Sequence, residues 1–350
     1  MNPNQNKFIT EEAMVSFVRC PLIVVLFLVA AFSTVFSGVN FASNDDQVLK
    51  KREFNSMLDG RWIGNGISYG AYRDGESPDQ NLTSKDNILE DLLIIAKHWH
   101  LIRLYGSDSQ SKNILEVIED NNLPIRVMLG AWLDGHKSEQ ENDEQIRLAI
   151  EFANRFKQIV VAVNVGNEIF VDWSWHRVND MDKVIDQIRQ VRVAIKQPVT
   201  VSDDYNFWNK LNAKKLADEL DFICLHGYAL WNSQHLEQGL EWTKSIYQDI
   251  KSRYPDHKIA FCETGWATSK VSTGNNDEAR LMVGKVGENE QAFFFNQYNN
   301  WVNQNKLVSF YFSSFDENWK GGFDGENPMA KAEKHWGLYK SDRSPKKSMR

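Results

Sequence analysis

The chain has 350 residues, of which 42% are hydrophobic and 25% are charged, and its net charge is −7. This is the composition of a globular protein with enough length for one large domain or two small ones. The basic residues form no stripe, which argues against a nucleic-acid partner and favours a neutral substrate over a polyanion.

The first predicted element lies at the N-terminus. Residues 1–43 are interpreted as a signal peptide or a membrane anchor, because an uncharged apolar stretch long enough to span a bilayer follows Arg19. Translation from Met14 would give a signal an ordinary basic start, with cleavage near Ala42. Both interpretations place the working domain outside the cytoplasm, where it is secreted, periplasmic or anchored to a membrane. Residues 44–60 are polar and charged, and they are predicted to form a linker.

From residue 61 to residue 345, strand-like segments alternate with helical segments. Eight strands are predicted within residues 61–70, 100–106, 124–133, 158–168, 198–204, 221–228, 257–266 and 307–317. The first seven precede helices predicted at 84–98, 110–121, 142–156, 180–196, 208–220, 235–254 and 289–305. This alternation implies parallel strands with helical crossovers, and eight such units fit a single (β/α)8 TIM barrel of the α/β class. An open doubly wound sheet would favour a glycine-rich turn after the first strand, but here the glycines lie within that strand.

Two of the predicted strands end in a glutamate, Glu168 on the fourth strand and Glu263 on the seventh. The C-terminal ends of barrel strands carry the chemistry of such enzymes, and these two strands face each other across a barrel of eight. A pair of carboxylates over one pocket is what cleavage of a glycosidic bond requires. A separation of roughly 5–5.5 Å predicts retention of configuration, and about 6.5–9.5 Å predicts inversion. Either glutamate alone would be interpreted as a salt-bridged residue of the rim.

Five segments, in chain order, resemble glycoside hydrolase family 17, the β-1,3-glucanases of a large clan of retaining barrels. They are GISYGAYRDGESP, IRLYG, NVGNE, IAFCETGWATS and the C-terminal pair FDENWK and EKHWGLY, and the resemblance covers residues 62–341. The chain departs from the family pattern at two positions. Ala267 stands where the family usually has proline, and Cys262 stands where it usually has a small residue such as serine.

The resemblance implies a role for each matching residue. Glu168 would be the general acid/base, Glu263 the nucleophile, and Asn167 the residue that hydrogen-bonds the sugar 2-hydroxyl. In the same pocket, the resemblance implies substrate-binding positions for a further set: Arg103, Tyr228, Trp266, Glu317 and Lys320. Trp266 would line the cleft, and Glu317 and Lys320 would brace the carboxylates. A cation such as Arg103 or Lys320 would keep the nucleophile ionised.

The predicted function is retaining hydrolysis of β-1,3-glucosidic bonds in a β-glucan polysaccharide or oligosaccharide, by endo or exo action. Transglycosylation uses the same residues and is the alternative. A glucan-binding module without catalysis is the third hypothesis, and the matched pair of carboxylates argues against it. The chemistry needs no metal and no cofactor. The oligomeric state is left open.

Other residues near the predicted strand ends are open to more than one interpretation. His226 would either join a hydrogen-bond network at the barrel mouth or serve the structure alone, and Asp203 and Asp204 would be rim acids or loop caps. Sugar stacking is expected for two of a set of five tryptophans: Trp132, Trp173, Trp175, Trp231 and Trp319. Three cysteines suggest no disulfide framework. Cys262 flanks Glu263, so strand alternation would turn its side chain away from the pocket, and it is predicted to be a buried thiol.

Overall fold

The structure is a computed structural model that describes residues 50–321 and 328–350. Eight parallel strands close into a barrel in the order β10-β3-β4-β5-β6-β7-β8-β9. Their bounds are β3 Asn65–Ser68, β4 Leu101–Arg103, β5 Arg126–Ala131, β6 Val160–Asn167, β7 Val199–Asp204, β8 Ile223–His226, β9 Ile259–Thr264 and β10 Ser309–Tyr311. The predicted (β/α)8 barrel is confirmed, and each barrel strand lies inside the segment that was predicted for it.

Helices surround the barrel and follow its strands. The long ones are α1 Lys85–Ile95, α2 Ser109–Asp120, α3 Glu139–Arg155, α4 Met181–Ala194, α7 Leu236–Arg253 and α9 Glu288–Asn305. One predicted helix, at 208–220, is instead two short helices, α5 Tyr205–Trp208 and α6 Ala213–Ala217. Asn209 and Asn212 lie at that break, and asparagine favours caps and turns over helix interiors. A further short helix, α8 Asp277–Leu281, was not predicted.

The base of the barrel, at the N-terminal ends of its strands, is closed by a short hairpin of β1 (Met57–Leu58) and β2 (Arg61–Trp62). Leu58 and Ile63 pack into the apolar interior of the barrel. Just before the hairpin, the backbone N–H of Arg52 donates to Asp221 Oδ1 over 2.6 Å.

Of the two segments predicted at the N-terminus, the structure describes only part of the second, from residue 50 onward. The signal or anchor predicted for residues 1–43 lies outside the described residues. Arg52 belongs to the segment that was predicted to be a linker, and its side chain hydrogen-bonds the backbone carbonyls of Arg192, Ile195 and Gln197. Among the residues that the structure describes, every helix is too short or too polar to cross a membrane.

The structure corrects the prediction for the cysteines. Cys224 and Cys262 form a disulfide between β8 and β9, with their Cα atoms 5.3 Å apart. Both are fully buried in the barrel interior, in a cluster with Leu101, Met128 and Phe310. The predicted free thiol at Cys262 is wrong, because β8 and β9 are neighbouring strands and bring the two cysteines within bonding distance. The spacing of two cysteines along a chain does not reveal such a pairing.

Candidate active site

Glu168 is carried past the end of β6 by an unusual backbone turn. Gly166 has φ +89° and Glu168 has φ +50°, both in the left-handed region. Glycine adopts this φ at position 166 without strain, and a Cβ atom there would lie 2.5 Å from the end of the Ile169 side chain. The Glu168 N–H donates to Ser202 O on β7 over 2.8 Å, which holds the turn in place. The turn aims the carboxylate over the barrel mouth, and 24% of the side chain stays exposed.

Glu263 lies deeper, at the end of β9, with 7% of its side chain exposed. Arg103 on β4 is fully buried, and its Nη1 donates to Glu263 Oε1 over 2.5 Å. The Tyr228 hydroxyl donates to the other carboxylate oxygen over 2.7 Å. Both oxygens of Glu263 are therefore held in fixed positions by donors from two other strand ends.

The surroundings of Glu263 stabilise its charged form. Burial on its own would raise the pKa of this carboxyl, but the charges of His226 and Arg103 act in the opposite direction. Together with the hydrogen bonds from Tyr228 and Arg103, they lower the pKa of Glu263 to about 2. The carboxylate is consequently ionised at neutral pH, as a nucleophile has to be.

His226, on β8, lies between the two carboxylates. Its Nδ1 is hydrogen-bonded to Glu168 Oε1 at 2.9 Å, and its Nε2 lies 3.7 Å from Glu263 Oε1. One atom from each of the three side chains falls within 4.8 Å of the others. The structure therefore brings the two glutamates together at the barrel mouth and places His226 in the network between them.

The trio of Glu168, His226 and Glu263 has a spacing that could hold a metal ion. The Arg103 guanidinium is hydrogen-bonded to the Glu263 oxygen that would face such an ion, and its positive charge opposes a cation there. The donor set thus suits a neutral ligand better than a metal.

Asn167 joins the same network from the last position of β6. Its Oδ1 accepts from Arg103 Nη2 over 2.5 Å, and its backbone carbonyl lies 2.7 Å from His176 Nε2. With the side-chain oxygen occupied, the amide nitrogen is the group left to donate to a ligand. A single guanidinium thus orients both Asn167 and Glu263.

Glu317 and Lys320 lie beside the pocket and pair with each other, with Lys320 Nζ 2.6 Å from Glu317 Oε2. The Lys320 ammonium also lies 4.5 Å from the centre of the Phe312 ring. Of the two cations proposed to keep Glu263 ionised, Arg103 is the one in contact with it. Glu317 occupies space that only a glycine at position 70 leaves open, because a Cβ there would lie 2.1 Å from Glu317 Oε1.

Trp266 does not line an open cleft. Its side chain is fully buried, its Nε1 donates to Lys285 O over 2.8 Å, and its ring packs 5.3 Å from Phe294 of α9. The structure corrects this expectation, because the chain turns outward after β9 and directs the indole into the layer between barrel and helices. The half-buried Tyr228 takes the predicted direction into the pocket.

Two acidic residues near the site have raised pKa values, and only one of them, Asp204, was singled out from the sequence. Burial raises the pKa of Glu333 to about 7 against the opposing charge of Lys320, and repulsion from Glu168 adds to the rise. Burial and the charge of Glu168 raise the pKa of Asp204 to about 7. Glu333 belongs to EKHWGLY, so the motif marked its neighbourhood but not its role. Asp204 caps α5 by accepting from Asn206 N, as one of its two interpretations predicted.

Aromatic side chains extend the site along the loop after β6. Trp173 and Trp175 are 60% and 69% exposed. The Trp175 ring is stacked on His136 with their planes 8° apart. Trp132 is stacked on His176, which itself contacts Asn167. Trp173 and Trp175, two of the tryptophans considered for sugar stacking, thus lie in the loop that follows Glu168. Stacking on a sugar stays a prediction.

Comparison with known proteins gives a consistent set of relatives. Residues 66–337 match the family described as the BtgE/BtgC glycoside hydrolase domain. A "Glucan 1,3-beta-glucosidase" of Arthroderma benhamiae is 26% identical over 294 residues, covering 80% of this chain and 88% of that protein. A "Probable glucan endo-1,3-beta-glucosidase btgC" of Aspergillus clavatus is 25% identical, covering 76% of this chain but only 39% of that protein.

Solved structures show the same fold. An endo-laminarinase from Formosa Hel1_33_131 has a TM-score of 0.68 and 24% identity, covering 80% of this chain and 85% of that chain. An active-site mutant of Rhizomucor miehei beta-1,3-glucanosyltransferase, in complex with laminaritriose, has a TM-score of 0.65 and 20% identity. That match covers 82% of this chain and 96% of the other.

Proposed function

The chain belongs to the BtgE/BtgC glycoside hydrolase domain family, and on that premise we propose that it is a retaining glycosidase of glycoside hydrolase family 17 that cleaves β-1,3-glucosidic bonds. The observation that carries the proposal is the meeting of Glu168 and Glu263, with an oxygen of each within 4.8 Å. Such closeness favours the double-displacement course over inversion, which needs room for a water molecule.

In the first step Glu263 attacks the anomeric carbon while Glu168 gives its proton to the departing glycosidic oxygen. The Arg103 and Tyr228 contacts hold the attacking carboxylate in place and keep it ionised until the bond forms. The product of this step is an ester between Glu263 and the sugar, and the shortened glucan leaves. Asn167 is assigned to the sugar 2-hydroxyl, since its oxygen is occupied by Arg103 and its amide nitrogen can donate.

In the second step Glu168, now ionised, takes a proton from water, and the hydroxide formed attacks the anomeric carbon. The bond to Glu263 breaks and its carboxylate is restored, with the configuration of the sugar retained. The greater exposure of Glu168 supports this division of roles, because the acid/base residue has to reach both the leaving group and the incoming water.

Transfer to a second glucan in place of water is the other candidate function. Trp173 and Trp175 support it, since exposed aromatic faces beside the acid/base strand could hold an acceptor sugar. The fold similarity to a glucanosyltransferase is compatible with both functions.

Incubation of the purified chain with laminari-oligosaccharides of defined length tests these proposals, with mass spectrometry of the products. Shorter products alone support hydrolysis, and products longer than the substrate support transfer. Binding without turnover would refute the enzymatic proposal. Cello-oligosaccharides serve as the control for linkage, and equal cleavage of both series would overturn β-1,3 specificity.

We also propose that the domain works outside the cytoplasm. The apolar stretch within residues 20–43 supports this, and so does the Cys224–Cys262 disulfide, since disulfides form mainly in oxidising compartments. Protease treatment of intact cells that express the full chain tests it. Degradation without lysis is expected, and protection until lysis would refute the proposal.

A further inference from the structure

The disulfide lies directly beneath the catalytic residues. Cys262 immediately precedes Glu263, and Cys224 lies two residues before His226 on the neighbouring strand. Both cysteines are fully buried, with apolar side chains of the barrel interior around them. The bond therefore joins the two strands that deliver Glu263 and His226 to the site.

The pairing of β9 is irregular at the same place. On one side, Leu225 pairs with Phe261 and His226 pairs with Glu263, so β9 has one residue more than β8. On the other side, Ser309 pairs with Phe261 and Tyr311 pairs with Thr264, which again leaves one extra residue on β9. Both mismatches fall within residues 261–264. This is a β-bulge, a device that redirects a side chain next to many active sites.

The bulge changes which side chains face the barrel interior. Phe261 points to the helices, where its ring lies 5.9 Å from that of Tyr298. Strict alternation would then place Cys262 inside and Glu263 outside. In the structure both side chains lie inside the barrel. Cys262 forms the disulfide with Cys224, and Glu263 accepts a hydrogen bond from Arg103. The expectation that Cys262 turns away from the pocket side of the strand was wrong for this reason.

Two bonds hold the bulge from within the barrel. The disulfide fixes the Cys262 side chain against β8. Arg103 Nη1 donates to the backbone carbonyl of Cys262 over 3.1 Å, and the same nitrogen donates to the Glu263 carboxylate. Movement of Cys262 would therefore alter the distance between the guanidinium and Glu263.

We propose that the Cys224–Cys262 disulfide is a positioning element for Glu263, locking the bulge that turns this carboxylate into the pocket. The cysteines act through Glu263 and do not touch the substrate. The inference rests on the proposed function for the assignment of Glu263 as nucleophile. A disulfide between residues that are 38 apart in the chain also stabilises a fold by restricting the unfolded chain. Its place on the bulge predicts an effect on Glu263 beyond that stabilisation.

The test uses the full chain with both cysteines replaced, Cys224→Ala with Cys262→Ala, and a better-filled version, Cys224→Ala with Cys262→Val. The control is Met128→Leu, a volume-conserving change in the same apolar cluster. If neither double variant folds, the wild-type chain with the Cys224–Cys262 disulfide reduced takes their place, since it keeps every side chain. The mass of two added hydrogens verifies the reduction.

Two readouts are taken from folded protein only. The first is the pKa of Glu263, from the ¹³C chemical shift of its carboxyl group during a pH titration without substrate. The second is kcat/KM for laminari-oligosaccharides. Without the disulfide, the Glu263 titration is expected to move to higher pH. We expect kcat/KM to fall by about tenfold to a hundredfold, the usual result of a misplaced reacting group. Met128→Leu should change neither.

Wild-type values of both readouts in a folded chain without the disulfide would overturn the proposal and leave the bond a purely stabilising one. Absence of turnover by the wild-type chain would instead refute the proposed function. In that case the substrate-free titration still decides whether the disulfide positions Glu263.

Discussion

The mouth and the base of the barrel each contain a buried pair of arginine and carboxylate. At the mouth Arg103 pairs with Glu263, and at the base Arg192 pairs with Asp221. All four side chains are buried. The pairs differ in their other partners. Asp221 accepts two backbone N–H groups, from Arg52 and Val199, at 2.6 and 2.7 Å, whereas Glu263 accepts the hydroxyl of Tyr228.

This difference separates a structural ion pair from the pair that we propose to be reactive. A backbone N–H can only donate. The hydrogen bonds of the pair at the base of the barrel are therefore satisfied only when Asp221 is ionised. A hydroxyl can turn to donate or accept, and a second carboxylate, Glu168, lies within reach of the pair at the mouth. Like charges and uneven solvation are what poise groups for catalysis. Four variants test this difference between the two pairs and their surroundings.

Glu263→Gln should lower kcat by at least about a thousandfold, because an amide cannot form the glycosyl ester. The variant should stay folded, since its amide oxygen can still accept from Arg103 and its amide nitrogen can donate to Tyr228 with the hydroxyl reversed. Steady-state kinetics and far-UV circular dichroism measure the two effects. A folded variant that retains a tenth of wild-type turnover would refute the role of Glu263.

Asp221→Asn should lower the stability of the fold and leave turnover unchanged. Its amide nitrogen has to face a backbone N–H, and the buried Arg192 loses its counter-charge, so the free energy of unfolding should fall by about 3 kcal/mol. Turnover per folded molecule should not change. Urea denaturation gives the stability. Asp218→Asn is the matched control, since the exposed pair of Asp218 and Lys214 should contribute about 0.5 kcal/mol or less. Equal losses from both variants would contradict the comparison.

Arg103→Met should raise the pKa of Glu263, because one of the two charges that offset its burial, those of His226 and Arg103, is removed. In the wild type the pKa of this carboxyl is lowered to about 2, so the proposed nucleophile stays charged throughout mild acid. In the variant the acidic limb of the kcat/KM profile should move to higher pH by roughly one unit or more. Arg103→Lys keeps a positive charge and should restore part of the shift. An unmoved limb in Arg103→Met would show that another group controls it.

Asp204→Asn should change stability in a pH-dependent way. The pKa of Asp204 is raised to about 7 in the fold, so the folded state prefers the protonated acid. As pH rises from about 4 to 7, the wild type loses stability because the buried carboxyl has to ionise. Asparagine has no such cost and keeps the oxygen that accepts from Asn206. The variant should gain roughly 1–3 kcal/mol relative to the wild type between pH 4 and pH 8. Parallel stability curves would contradict this.

The barrel and its two carboxylates could be predicted because they depend on local pattern. Apolar strands that alternate with amphipathic helices allow few architectures, and parallel strands place Glu168 and Glu263 at one end. The direction of Trp266 could not be predicted, since a residue just past a strand end has left the two-residue period. The raised pKa of Glu333 could not be predicted either, since it depends on burial and on charges from distant parts of the chain, such as Glu168.

The register of β9 marks the limit of sequence reasoning most clearly. Alternation that starts from Ala260 inside and Phe261 outside accounts for Cys262 inside, and it fails at Glu263, because one extra residue resets the period. A bulge leaves no signature in residue type, because its neighbours on β8 and β10 define it. The disulfide was missed for the same reason, since it depends on which residues of two strands lie side by side.

The contacts of Lys51 and Arg52 have a topographic consequence. Lys51 Nζ donates to Leu220 O over 3.0 Å, just ahead of β8, so the described chain enters the fold at the end of the barrel remote from the glutamates. If the protein were attached to a solid support near Lys51, the end of the barrel that carries the glutamates would face away from the support, into the surrounding medium. Long, insoluble polymers could then reach it without steric hindrance from the support.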